Sequence, residues 1–84
     1  MKAPPAPADA RLVRAIEAHL AAYPLAADSL DGVMRWWLGA RGIHATAAEV
    51  EQALNLLVAA RRLRQTRLAD GTVLFTHRPA PGEP

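Results

Sequence analysis

Thr46-Ala47-Ala48-Glu49-Val50-Glu51-Gln52-Ala53-Leu54-Asn55-Leu56-Leu57-Val58, followed after four residues by Leu63-Arg64-Gln65-Thr66-Arg67-Leu68-Ala69-Asp70-Gly71-Thr72-Val73-Leu74-Phe75, carries the two periodicities that decide the fold. In the first block Val50, Ala53, Leu54, Leu57 and Val58 recur at the spacing of one helical face. Thr46 and Glu49 form a capping box, in which the threonine hydroxyl accepts from the Glu49 amide and the carboxylate accepts from the Thr46 amide. A helix is therefore predicted to begin there and to run to about Ala60 or Arg62. The second block switches to period two. Leu63 to Leu68 and Thr72 to His77 read as strands, Val73 and Phe75 share a face, and Asp70-Gly71 supplies the positive φ angles of a tight hairpin turn.

Two more helices precede this block. Leu30, Val33, Met34, Trp37 and Leu38 fall at i, i+3, i+4, i+7 and i+8, with Asp28 or Ser29 as N-cap and Gly39 and Gly42 as stops. Further upstream, Asp9 can cap a helix whose inward set is Leu12, Ile16, Leu20 and Tyr23, and Pro24 ends it. The order is helix, helix, helix, hairpin. The predicted core is Leu12, Ile16, Leu20, Leu30, Val33, Trp37, Val50, Leu54, Leu57, Val73 and Phe75. The prolines at 4, 5 and 7, and those at 79, 81 and 84, predict disordered tails at 1–8 and 79–84 around one folded unit at 9–78.

Composition narrows the chemistry. With 84 residues, 51% apolar and 21% charged, the chain reads as a single small globular domain without room for a large substrate cavity. Cysteine is absent, which excludes disulfides, thiolate metal sites and thiol nucleophiles. No run of 18 apolar residues and no signal-peptide core is present, so the expectation is a cytoplasmic protein without membrane association. Nine arginines and nineteen alanines against one lysine point to a GC-rich, bacterial source.

Net charge is only +2, although the isoelectric point is about 9.9. Its distribution is uneven: residues 1–39 are neutral, 40–60 carry −1 and 61–84 carry +3. Basic character thus accumulates at the hairpin and beyond it.

The third helix and the hairpin at 50–75 resemble those of bacterial winged-helix proteins, and the resemblance extends over roughly residues 10–77. It implies a mainly α three-helix domain with a small β-hairpin wing, in which the third helix commonly enters the DNA major groove and the wing contacts the backbone. The same superfamily contains many protein-binding modules. Two features depart from the pattern. The segment Gly39-Ala40-Arg41-Gly42-Ile43-His44-Ala45 is longer than a helix-turn-helix turn, and the third helix presents Glu49 and Glu51 where a DNA reader favours basic residues.

Two functions from different classes follow. The leading expectation is a DNA-binding, transcription-regulator-like module. Gln52 and Asn55 would read adenine edges, while Arg62, Arg64, Arg67 and Arg78 would line a phosphate track. The alternative is a protein-interaction module or small accessory subunit using Trp36 and Leu56. Trp36 lies well off the apolar face of the second helix and Leu56 off the main stripe of the third, and exposed tryptophans are enriched at binding hot spots. Gly32, four residues before Trp36, offers the opposite outcome, a close approach that would cover the indole. A homodimer is compatible with either function.

Catalysis and cofactors find no support. Ser29 is the sole serine and serves better as a cap, no glycine-rich phosphate loop follows a strand, and Asp28 with Asp31 suits a helix N-terminus. His19, His44 and His77 are too dispersed for a metal site. His19 reads as a partly buried, hydrogen-bonded residue on the inner side of the first helix. Arg61 stands at the helix end where similar sequences often have glycine, so a left-handed backbone is expected there. No enzyme activity, cofactor, metal or small-molecule substrate is expected.

Overall fold

The computed structural model describes residues 9–77. Arg78 and the expected tails at 1–8 and 79–84 lie outside them. Capping sets the first boundary: the Asp9 carboxylate accepts from the Arg11 amide at 2.8 Å and starts α1 (Ala10–Ala22). Pro24 halts the helix after Tyr23. The chain turns through a bond from the Ala26 amide to the Tyr23 carbonyl (2.9 Å) into β1 (Ala27–Asp28).

The second helix is capped by Ser29, whose hydroxyl accepts from the Gly32 amide at 3.2 Å, while the Asp28 carboxylate accepts from the Ser29 amide at 3.1 Å. It is not a regular α-helix. After α2 (Leu30–Gly32) the backbone widens into a π-helical turn at Val33–Leu38 and then tightens into a 3₁₀ turn at Gly39–Arg41. Gly42, at φ 72°, lets its own amide bond Gly39 and the Ile43 amide bond Leu38, so the end closes as a Schellman motif. This closure explains the long connection, because Ile43 folds back and packs against the core instead of entering a short turn.

The capping box forms as the sequence predicts, with Thr46 Oγ1 accepting from Glu49 N (3.1 Å) and Glu49 Oε1 accepting from Thr46 N (2.9 Å). It starts α3 (Ala47–Ala59). Arg61 adopts φ 62° and makes the same Schellman closure, Arg61 N to Val58 O at 3.0 Å and Arg62 N to Leu57 O at 2.8 Å. The expected left-handed backbone is present, on a side chain whose Cβ disfavours it.

β2 (Leu63–Arg67) and β3 (Val73–His77) form the antiparallel hairpin, with Gln65 opposite Phe75 and Arg67 opposite Val73. Its turn differs from the expectation. Only Gly71 has positive φ (92°), its amide bonds Leu68 O, and the Leu68 amide bonds Thr72 O. These bonds define a three-residue loop, Ala69-Asp70-Gly71, in which Asp70 needs no left-handed conformation. The Asp70 carboxylate instead accepts from the Thr72 amide at 2.9 Å, and this bond lowers its pKa.

The larger revision concerns the sheet. β1 pairs with β3 through Ala27 opposite Thr76 and Asp28 opposite Phe75, giving a three-stranded antiparallel sheet of order β1-β3-β2. His77 reinforces this edge, its amide on the Ala26 carbonyl (3.3 Å) and its Nδ1–H on the Pro24 carbonyl (2.9 Å). The described residues thus form a mixed α/β unit of three helical segments and one small sheet.

Between these layers lies one core. Leu12, Ile16 and Leu20 meet Val33, Trp37, Leu38, Val50, Leu54, Leu57, Leu63 and Phe75, all buried, while Leu30 and Val73 are half-buried against them. Tyr23 departs from its predicted inward position. One residue past α1, it is 60% exposed and packs on His19 instead.

Candidate binding surface

Adjacent tryptophans divide the second helical segment. Trp37 is 2% exposed and stacks on His19, with centroids 4.6 Å apart and planes 14° from parallel, whereas Trp36 is 66% exposed. The covering that Gly32 would permit does not occur among the described residues. What approaches Gly32 is the Asp28 carboxylate, which a Cβ at that position would strike, and this contact belongs to the helix cap. Both tryptophans sit in the π-helical turn, an uncommon conformation that often marks functional sites.

Trp36 opens onto a groove of about 540 Å³ between the second helical segment and the start of α3, walled by Met34, Ile43, Ala45 and Val50 and edged by His44. The Arg35 and Asp31 side chains at its rim pair with each other at 3.1 Å, one turn apart. The groove is therefore mainly apolar and locally charge-balanced. Met34, Ile43 and His44 were not singled out from the sequence as neighbours of Trp36. The one available signal was the unusual length of the segment at 39–45.

Leu56, the other expected interface residue, is 46% exposed but is not part of this groove. It lies one turn from Gln52 on α3. Glu51 and Asn55 form the neighbouring row and wall a second groove of about 450 Å³, between the start of α2, α3 and the inner face of the hairpin. Trp36 and Leu56 thus do not share a described groove. The two candidate adenine readers also separate, with Asn55 in this groove's wall and Gln52 outside it.

The arginines do not form one track. Arg62 turns back to α1 and pairs with Glu17 at 2.7 Å, tying the root of the hairpin to the first helix. Arg64 and Arg67 are three residues apart on one strand, and period-two alternation sends them to opposite faces of the sheet. Arg67 shares the face of Gln65, Val73 and Phe75, while Arg64 shares that of Thr66 and Thr76. Both are exposed and have no ion-pair partner among the described residues. On α3, Glu49 spends its carboxylate on the cap and Glu51 stands exposed beside Asn55.

Among the described residues the His19 ring makes no hydrogen bond, unlike the hydrogen-bonded histidine expected from the sequence. It lies between Tyr23 and Trp37, and desolvation, with a contribution from the Arg41 charge, lowers its pKa below the ordinary histidine value. Among the described residues no cluster of three or more histidine, aspartate or glutamate side chains is arranged to hold a metal, and no helix is long and apolar enough to cross a membrane.

Comparison with protein-family models, curated proteins and solved structures finds no match to this chain.

Proposed function

We propose that the chain is a non-catalytic protein-binding module of winged-helix-like layout whose contact surface is built around Trp36. The helix and strand order, α1-β1-α2-α3-β2-β3 with the hairpin beside the third helix, supports that layout. The observation that carries the function is the exposed indole on the π-helical turn beside an apolar groove. An amphipathic aromatic ring on a well-packed element is the type of residue that anchors interfaces, because it brings large contact area at little entropic cost. Trp37, not Trp36, is the indole of the buried core.

Duplex DNA is the second reading, favoured by Arg64 and Arg67 of the hairpin, which are exposed and have no ion-pair partner among the described residues. Against it stand the Arg62–Glu17 pair, the opposed directions of Arg64 and Arg67, and the carboxylates of α3, which repel phosphate.

Site-specific photo-crosslinking in the source cell separates these readings. A benzoylphenylalanine replacing Trp36 is expected to yield a discrete protein adduct that the same group at Ala18, exposed on α1, does not. Amide NMR of the purified chain with mixed-sequence duplex DNA at low salt is expected to show no shifts. Shifts at Gln52, Asn55, Arg64 and Arg67 that fade at higher salt, without a Trp36 adduct, would reverse the assignment.

A further inference from the structure

The second groove specifies what kind of segment the module takes. Its floor is apolar, formed by Leu30, Val73 and the ring of Phe75, and its rim carries the carboxylates of Asp31 and Glu51. Among the described residues no lysine, arginine or histidine lines it. The nearest basic residue in the hairpin register, Arg67 opposite Val73, pairs with neither carboxylate. At the start of α2 the Ser29 amide is bonded to the Asp28 carboxylate and the Gly32 amide to the Ser29 hydroxyl. Asp31 also lines the Trp36 groove, so this residue stands at the border of both grooves.

An apolar floor beside the exposed Glu51 carboxylate, with Asp31 shared between the rim and Arg35, complements a side chain with an aliphatic stem and a cationic head. Lysine and arginine lay their methylenes on apolar surface while the charge stays at a wet, acidic rim. The same rim repels phosphates and acidic segments.

We infer that the partner segment presents a lysine or arginine flanked by apolar residues, the cation seated between Asp31 and Glu51 and an apolar side chain in the Trp36 groove. The inference rests on the protein-binding reading and adds the chemistry of the ligand. Arg35 already pairs with Asp31, so Glu51 is the carboxylate with more to gain from the incoming cation.

The test is selection of peptides from a random twelve-residue library on the immobilised chain, followed by fluorescence titration of the enriched peptides. Enriched sequences are expected to contain a lysine or arginine next to apolar residues. Glu51→Gln is expected to weaken them roughly three- to fivefold, as for a partly exposed ion pair, and Trp36→Ala to abolish binding. Glu51 is exposed and outside the capping box, so the glutamine variant should fold, which circular dichroism checks.

Purely apolar peptides that need Trp36 and ignore Glu51→Gln would overturn this inference and leave the protein-binding reading standing. Selection of nothing, together with DNA binding at low salt, would remove both. Self-association abolished by Glu51→Gln, with no peptide selected, would overturn the proposed partner in favour of a second copy's arginines.

Discussion

Replacing the two adjacent tryptophans in turn separates fold from contact surface. For Trp36, about a third of the side chain is buried. At roughly 250 Å² for a whole tryptophan, that is ~80 Å², worth at most about 2 kcal/mol at ~25 cal/mol per Å². Alanine retains part of this burial and is the better helix former, so Trp36→Ala is expected to cost about 1 kcal/mol or less. For Trp37, core truncation costs ~3–5 kcal/mol, and the lost stack on His19 adds of order 0.5–1.5 kcal/mol. A chain of this length holds about 4–13 kcal/mol, with small domains at the low end, so Trp37→Ala should leave it at the edge of unfolding. Urea titration followed by far-UV circular dichroism gives both values. In Trp36→Ala the remaining emission should be that of a buried indole, shifting red only at the unfolding transition. A Trp36→Ala loss comparable to that of Trp37→Ala would refute the reasoning, because it would require the indole to be covered by some part of the chain.

Three further outcomes are expected. Arg61→Gly should raise the urea midpoint, with a gain of about 0.5–1 kcal/mol, because glycine relieves the left-handed strain at φ 62° but loses more backbone entropy on folding; a loss would mean that the arginine side chain is held by a contact of greater value. The lowered pKa of His19 predicts a pH dependence with a definite sign. Above the unfolded value of about 6.5 the ring is neutral in both states and stability is at its plateau; as the pH falls below it the unfolded chain takes up the proton first, and stability declines until the folded-state pKa is passed. Urea midpoints between about pH 8 and about pH 5 should show this decline in the wild type and a weaker one in His19→Gln, which has no group to titrate at this position. A double-mutant cycle on Glu17 and Arg62 should give a coupling of about 0.2–1 kcal/mol, the range of exposed pairs; a zero coupling would return Arg62 to the pool of free cations at the hairpin.

Local periodicity and capping chemistry carried much of the fold. Each of the three helix starts has a side chain that accepts a free backbone amide, Asp9, Ser29 and Thr46, and such bonds are decided within three residues of sequence. Hairpin position and the inward faces of α3 and, Tyr23 apart, of α1 followed from spacing. The left-handed Arg61 was legible through resemblance, because similar sequences often have glycine at that helix end, the residue that a left-handed closure favours.

Tertiary structure decided the rest. A two-residue strand such as β1 has no period to detect and exists because β3 offers a free edge to Ala27 and Asp28. The π-helical turn lies in the segment that carries both tryptophans and packs against α1, and no residue preference announces it. Spacing placed Trp36 off the apolar face, but whether another element covered it depended on the packing of the chain around Gly32, which Asp28 occupies. The arginines show the same division. Their abundance is written in the chain, yet strand alternation parts Arg64 from Arg67, and an ion pair across 45 residues draws Arg62 to Glu17. Composition can count charges, but only the fold determines which of them share a surface.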